Sequence, residues 1–245
     1  MNYLKSPIII KGVNHSGTGV LVEILKILGS DAGDINNKWK ENKFFLEIHK
    51  SLISKISKNS WTKTIFDTNF YKKNGYVDNM EYLDLINKKI LDLKRHYSDP
   101  KNKAWHWKCP SSVFFDKTWE EVFPDAHTII IQRDPYNVAR SLLKNQLFKN
   151  YDDALIFHKV MSEKILSSKN KNVLKVKYNN LENEIDKIAE FIPFRTTPKK
   201  INLAKTLVEK ENLIRLNRDF SYNIKNIYAE LKIKYFKLKK KFQPN

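Results

Sequence analysis

The chain has 245 residues and a formal net charge of +18, and its lysines are spread along the sequence, which indicates general basicity and argues against a nucleic-acid footprint. The single cysteine, Cys109, excludes an intramolecular disulfide framework and a cysteine-based zinc site, and six histidines without a His-Glu-x-x-His spacing give a metal no support. Because the longest hydrophobic runs are strand-sized, we expect a cytoplasmic protein without signal peptide or transmembrane segment, folded as a single domain over residues 1–245.

The first predicted elements are a buried strand over residues 7–13 and a helix over 17–28, which ends at the C-cap Gly29. The turn between them reads Gly12-Val13-Asn14-His15-Ser16-Gly17-Thr18-Gly19. A strand, a tight glycine turn and a helix start together bind phosphate through backbone amides and the helix dipole. We therefore predict a P-loop-like turn that holds an anion, with the binding residues Asn14, His15, Ser16, Gly17, Thr18 and Gly19.

The turn lacks the lysine of nucleotide triphosphatases, because Thr18 stands at that position. That lysine neutralises the β- and γ-phosphates of ATP or GTP, so its absence argues against triphosphate hydrolysis. We expect a nucleotide donor without a triphosphate. A P-loop kinase or related phosphotransferase is the alternative enzyme, and a non-catalytic basic protein that binds nucleotide or nucleic acid is the alternative from another class.

The remaining elements predict an α/β fold. Polar residues over 30–42 predict a loop that returns over the turn. Helices are predicted over 43–58, 79–96, 135–149, 152–168 and 181–191, and strands over 64–67, 127–132 and 173–177. Alternating strands and helices indicate a mostly parallel central sheet flanked by helices, with ligands at the carboxyl ends of the strands. Residues 199–245 read as a basic helical segment, amphipathic from Ile224 to Phe242. We expect it to pack on the core, and the alternative is a membrane-surface or partner helix.

A second anion site is predicted where the strand over 127–132 ends. Arg133 follows this strand, and Asp134 and Pro135 suit the cap and first turn of the next helix. Ser141 lies two helical turns further on. Arg133 and Ser141 are therefore expected to face one oxyanion, the first from the strand end and the second from the helix.

These segments resemble the sulfotransferases that use 3'-phosphoadenosine 5'-phosphosulfate (PAPS). In that family a basic residue followed by Ser/Gly-Gly-Thr holds the 5'-phosphosulfate, and an arginine with a serine eight residues later holds the 3'-phosphate. The matching segments, in the family's order over roughly residues 6 to 192, are His15-Ser16-Gly17-Thr18, Trp107-Lys108-Cys109-Pro110, Phe123-Pro124-Asp125-Ala126, Arg133 to Ser141, and Val173 to Leu181.

The resemblance implies sulfuryl transfer from PAPS to a hydroxyl or amine of an unidentified acceptor: a saccharide, lipid, peptide or small molecule. It places Lys108 at the transferring group and Tyr178 beside the adenine, and it implies no metal, because fixed protein charges neutralise the reacting oxygens. In the family a carboxylate from the segment after the first helix often acts as base, and this segment contains Asp34 and Glu41. Other candidate bases are His49, Asp67 and His106.

Three departures from the family pattern stand out. The family has lysine or arginine where this chain has His15, and it has a Glu-Asp pair where this chain has Asn179 and Asn180. Either the neighbouring phosphosulfate protonates His15, or His15 donates one neutral N–H and Lys108 carries more of the charge. The family's Arg-Lys-Gly clamp on the 3'-phosphate is also missing, and the candidate substitutes are Arg195, Arg215 and Arg218.

Overall fold

The structure is a computed structural model that describes residues 6–36, 38–57, 64–73, 104–167 and 170–214. The chain divides into two compact units, Met1–Ala204 and Lys205–Asn245. The single domain over 1–245 therefore stays a prediction. Residues 199–214 of the predicted basic segment are helical. The rest of that segment and the predicted helix over 79–96 lie outside the described residues.

A parallel four-stranded sheet forms the centre of the first unit and confirms the predicted α/β class. The strands of the described chain are β1 (Ile8–Lys11), β2 (Ile35–Asn36), β3 (Glu41–Asn42), β4 (His106–Lys108), β5 (His127–Gln132) and β6 (Val173–Lys177). The sheet order is β4-β1-β5-β6, and every pair in it is parallel. The register places Ile9 of β1 beside Trp107 of β4 and Thr128 of β5. The sequence does not predict β4, because three residues are too few for a periodic signal.

Helices follow the strands, as the alternating pattern predicts. Those that lie wholly within the described residues are α1 (Thr18–Leu28), α2 (Lys43–Ser57), α3 (Thr68–Lys73), α4 (Asp116–Val122), α5 (Pro135–Lys144), α6 (Tyr151–Leu166) and α7 (Leu181–Phe191), with 3₁₀ turns at Pro110–Phe115 and Tyr178–Asn180. Gly29 ends α1 with a φ of 122°, and its N–H donates to the carbonyls of Leu25 and Lys26, which confirms the predicted C-cap.

Two sequence-based predictions of secondary structure are wrong. Residues 64–67, predicted as a strand, contain none: Thr64 is helical, and a turn follows in which the Asp67 amide donates to the Thr64 carbonyl. The Asp67 carboxylate then accepts from the Asn69 amide at 2.9 Å, so this residue begins α3 instead of ending a strand. The helix predicted over 135–149 stops at Lys144, because Gln146 has a φ of 57°, which a helix cannot continue through.

Aromatic side chains dominate the core on one face of the sheet. Trp107 stacks on Phe45 of α2 with ring centroids 4.0 Å apart, and Trp119 of α4 contacts both rings edge-on. Ile8 and Ile10 are equally buried on the opposite face, where α1 packs against β1 and β4. Side chains alternate across a strand, so those of β1 pack into a core on each face of the sheet. Because both faces are covered, a ligand can reach the sheet only at the ends of the strands.

Candidate active site

All four parallel strands bring a predicted site residue to the same edge of the sheet. β4 ends at Lys108, and β1 leads into the turn over residues 12–17. β5 leads into Arg133, and β6 into Tyr178. Since the strands are parallel and adjacent, these residues meet where ligands bind in open α/β sheets.

The turn after β1 depends on two glycines. A Cβ atom at Gly12 would lie 2.5 Å from Ser16 Oγ and 2.9 Å from a methyl carbon of Ile131. Gly17 has a φ of 101°, and a Cβ atom there would overlap the ring of Tyr178. The close approach of neighbouring side chains therefore requires glycine at both positions.

The amino end of α1 is left open to an anion. Gly17 is the N-cap, so the first amides of α1 receive no side-chain cap, and no acidic residue lies in the first turn. Ser16 Oγ is buried and finds no hydrogen-bond partner among the described residues. Free amides, the positive end of the helix dipole and an unsatisfied hydroxyl fit a bound phosphate or sulfate group.

A hairpin of β2 and β3 covers this turn where the sequence predicts a polar loop. The Asn36 side chain accepts from the Lys38 amide at 2.9 Å and from the Trp39 amide at 3.3 Å, and the Asn36 carbonyl accepts from the Lys40 amide at 2.7 Å. These bonds fix the hairpin turn. The Trp39 ring then meets the His15 ring edge-on, with centroids 5.6 Å apart.

Lys108 is tied to the same hairpin. Its Nζ donates to the Trp39 carbonyl at 2.6 Å and lies 3.5 Å from Glu41 Oε1. The Lys108 side chain is only 5% exposed. Burial lowers the pKa of Lys108, and the Glu41 carboxylate acts in the opposite direction. The structure therefore brings together Lys108 and Glu41, two predicted residues that are far apart in the sequence.

The second predicted anion site joins the first through His15. Arg133 Nη1 donates to the His15 carbonyl at 2.9 Å, and Ser141 Oγ lies 3.0 Å from His15 Nδ1. The Arg133 guanidinium lies over the Tyr178 ring at 4.8 Å from its centroid. Asp134 accepts from the Asn137 amide at 2.9 Å, which confirms the predicted cap of α5 and fixes the helix that carries Ser141.

His15 is a neutral imidazole in this site. Burial, followed by the charges of Lys108 and Arg133, lowers the pKa of His15 to about 4. The two sequence-based interpretations of His15 differ in its charge. The pKa in this structure agrees with the second, in which a neutral ring donates one N–H and Lys108 supplies the charge. An imidazolium would require a bound anion to raise that pKa from about 4, not from the ordinary 6.5.

The candidate bases occupy very different surroundings. Asp34 is 52% exposed at its side chain and pairs with Lys43 at 2.9 Å, so it lies in a surface ion pair away from Lys108 Nζ. Glu41, by contrast, faces Lys108. Of the two loop carboxylates, Glu41 is therefore the one that the fold brings to the predicted reaction centre.

The other candidate bases have structural contacts. Burial lowers the pKa of His49 to about 3, and Trp119 Nε1 donates to His49 Nε2 at 3.0 Å. Burial also lowers the pKa of His106 to about 3, and its Nδ1 lies 2.9 Å from Ser30 Oγ. Asp67 caps α3. A buried neutral histidine with an occupied nitrogen does not fit a base that must meet an acceptor.

Arg195 does not fit the missing clamp. Its neighbour Thr196 donates to the Leu28 carbonyl at 3.1 Å, at the carboxyl end of α1. The 11 residues of α1 separate that end from the turn by about 16 Å. Arg215 and Arg218 lie outside the described residues.

A buried ion pair beneath the turn was missed by the sequence analysis. Lys11 Nζ lies 2.9 Å from Asp116 Oδ1, with both side chains inside the fold. Burial raises the pKa of Asp116 to about 6, although Lys11 opposes this shift. The available signal was a lysine at the end of the apolar run Ile8-Ile9-Ile10, immediately before Gly12. The pair anchors the strand end that leads into the turn.

Comparison with known proteins identifies the family. The sulfotransferase family model matches residues 7–192, which is more than half of the chain. The chain belongs to the sulfotransferase family. The match contains both predicted anion sites, Lys108 and Tyr178. No curated protein sequence matches this sulfotransferase significantly.

Solved structures share the fold of this sulfotransferase at low sequence identity. The sulfotransferase domain of the Synechococcus PCC 7002 olefin synthase is 14% identical, with a TM-score of 0.52 over 82% of this chain and 77% of that one. The sulfotransferase domain from the curacin biosynthetic pathway is 13% identical, with a TM-score of 0.51 over 80% and 77%. The sulfotransferase STF9 from Mycobacterium avium is 11% identical, with a TM-score of 0.55 over 84% and 68%.

The described part of this sulfotransferase shows neither a membrane span nor a metal-binding cluster. None of its helices is long and apolar enough to cross a membrane. Within the same residues, no three His, Cys, Asp or Glu side chains gather in a group that could hold a metal ion.

Proposed function

We propose that this sulfotransferase transfers a sulfuryl group from PAPS to a hydroxyl or amine acceptor. The observation that carries the proposal is the double contact on His15. Arg133 donates to its carbonyl, and Ser141 meets its ring nitrogen, so the two predicted anion sites share one residue of the turn. A donor with one anionic group on each side of a nucleoside matches this arrangement.

The residues present fit such a donor. The open amino end of α1, with the unsatisfied Ser16 hydroxyl, suits the 5'-phosphosulfate. Arg133 and Ser141 would hold the 3'-phosphate, with Arg133 kept in place by the Tyr178 ring. Tyr178 would contact the adenine. The remaining turn residues that would bind the donor are Asn14, His15, Gly17, Thr18 and Gly19.

When bound, PAPS supplies the sulfuryl group, and adenosine 3',5'-bisphosphate is the product. Lys108 would place its ammonium against the negative charge that develops on the bridging oxygen. Because Lys108 Nζ donates to the Trp39 carbonyl and lies close to Glu41, its side chain is held in one position before it acts. His15 would donate its neutral N–H to the same group.

Glu41 would act as the general base. It would accept the proton of the acceptor hydroxyl or amine at a carboxylate oxygen as the new bond to sulfur forms. The Lys108 ammonium lies 3.5 Å away and would hold this carboxylate close to the reacting atoms. Asp34 is a weaker candidate because its exposed ion pair with Lys43 holds it at the surface.

A thermal-shift experiment tests the donor. Stabilisation by adenosine 3',5'-bisphosphate, without comparable stabilisation by ATP with magnesium or by an oligonucleotide, supports the proposal. If only ATP with magnesium stabilises the protein, the result would favour a phosphotransferase. If only the oligonucleotide does so, the result would favour a nucleic-acid-binding protein. Candidate saccharides, lipids, peptides and small alcohols are then incubated with PAPS and screened by intact mass for the gain of one sulfuryl group.

A further inference from the structure

The turn of this sulfotransferase contains no permanently charged side chain. Its basic position is His15, and the lysine position of nucleotide triphosphatases is Thr18. A 5'-phosphosulfate carries two negative charges, which Lys108 meets while already facing Glu41. A second lysine lies close to the amino end of α1, however, and it comes from the hairpin.

Lys40 is held over the first turn of α1. Its φ of 55° is unusual for a lysine, and the Asn36 carbonyl fixes this backbone by accepting from the Lys40 amide at 2.7 Å. The Lys40 side chain then crosses Gly19, where a Cβ atom would lie 3.7 Å from Lys40 Cγ. A residue with a larger side chain at position 19 would stand in its path.

The Lys40 ammonium pairs with Glu23 at 3.0 Å in this structure. Glu23 lies one helical turn beyond Gly19, so the lysine stem runs along α1 between these two residues. The amino end of α1 lies in the opposite direction from Gly19. With Cγ held over Gly19, rotation of the outer side-chain bonds would carry the ammonium from Glu23 towards that end without a change in the backbone.

Two features keep the free-energy cost of moving the Lys40 ammonium away from Glu23 low. The Lys40 side chain is 34% exposed, so its ammonium stays solvated as it moves. Glu23 also pairs with Lys26 at 3.1 Å, so its carboxylate keeps a cation when Lys40 leaves. Burial opposes ionisation of Glu23, yet Lys40 and Lys26 together hold its pKa below the usual value.

We propose that Lys40 is a further donor-binding residue, which exchanges Glu23 for the 5'-phosphosulfate and supplies the permanent charge that the turn lacks. This inference rests on the proposed function. Lys40 thereby gives the hairpin a direct contact with the donor, in addition to the contact of Trp39 with His15.

Titration calorimetry of Lys40→Met tests the proposal, because methionine keeps the apolar stem over Gly19 and removes the charge. We expect adenosine 3',5'-bisphosphate to bind about tenfold more weakly, the loss typical of one partly exposed charge-assisted contact. Adenosine 3'-monophosphate, which lacks the 5' group, should bind Lys40→Met and the wild type equally. Lys40→Arg should bind the bisphosphate almost as well as the wild type.

Lys50→Met is the matched control, since it removes a lysine of similar exposure, 39%, from a surface ion pair with Glu47 on α2. It should change neither affinity. Equal losses in Lys50→Met and Lys40→Met, or equal losses for both nucleotides, would overturn the role of Lys40. Unchanged binding of the bisphosphate to Lys40→Met would also overturn it and would leave the proposed function intact. A wild type that does not bind the bisphosphate would instead remove the proposed function itself.

Discussion

Ser141 Oγ lies 3.0 Å from His15 Nδ1, so the hydroxyl of one predicted anion site and the imidazole of the other form a hydrogen-bonded pair. The carbonyl of the same histidine accepts from Arg133 at 2.9 Å. Because both contacts end on one residue, anion binding at the strand end and at the turn are expected to influence each other. His15 is therefore the residue whose substitution is most informative.

Binding of the donor product should raise the pKa of His15. Its pKa is about 4 in this structure, and a neighbouring anion raises the pKa of an imidazole. A raised pKa means that binding of adenosine 3',5'-bisphosphate gains strength as the pH falls towards about 4. Calorimetry of wild type and His15→Ala across this pH range measures the effect, because the variant shares every titration except that of His15.

Turnover of His15 variants distinguishes charge from hydrogen bonding. We expect His15→Ala to stay folded and to lose most turnover, and His15→Lys to stay active. An alkaline limb in the wild-type pH–rate profile that disappears in His15→Lys would show that the imidazolium is the active form. Near-wild-type turnover of His15→Ala would show that the histidine only fills the turn.

Arg133→Ala should weaken binding of adenosine 3',5'-bisphosphate far more than binding of adenosine 5'-phosphosulfate, which lacks the 3'-phosphate. The expected loss is about 2 to 4 kcal/mol, the range for a buried charge-assisted contact. Arg140→Ala, which removes an exposed arginine from α5, the helix that follows Arg133, is the control. Equal losses of affinity for the two ligands would show that Arg133 stabilises the turn and does not contact the 3'-phosphate.

Lys108→Ala should lower turnover much more than donor affinity. A charge at the bridging oxygen contributes most as the bond breaks, when the negative charge is greatest. Steady-state kinetics with varied PAPS separate the two effects, and Lys43→Ala removes an exposed lysine as the control. A loss confined to the Michaelis constant for PAPS would limit Lys108 to ground-state binding.

Glu41→Gln should reduce turnover by about 100- to 10,000-fold, the usual contribution of a general base. Asp34→Asn should leave turnover close to that of the wild type, because Asp34 pairs with Lys43 at the surface. Both variants are compared at saturating PAPS and acceptor. The reverse order of effects would assign the base to Asp34.

Gly17→Ala should prevent the turn after β1 from adopting its conformation in this structure. Gly17 has a φ of 101°, and a methyl group there would overlap the Tyr178 ring. We expect a loss of stability of about 1 to 3 kcal/mol, with binding of adenosine 3',5'-bisphosphate abolished. Gly19→Ala is the control, since its methyl group would meet its nearest neighbour at an ordinary 3.7 Å. Equal tolerance of both changes in thermal unfolding would contradict the close packing of the turn.

The sequence by itself determined the chemistry of short segments. A glycine turn between an apolar strand and an amphipathic helix can be recognised because backbone conformation and side-chain periodicity are local properties. The spacing of Arg133 and Ser141 is also local, since both lie around one strand end and one helix start. These features were sufficient to predict the α/β class and the family, which are confirmed, and to propose both anion sites.

Only the tertiary structure decided which residues of the site contact one another. Lys108 meets Glu41 across 67 positions, and Lys11 meets Asp116 inside the core. Neither pair has a periodic signal, because each depends on which strand and which turn become neighbours. The low pKa of His15 likewise arises from burial and from two cations supplied by other strands. Long-range contacts and burial are properties of the folded chain, so no local pattern could report them.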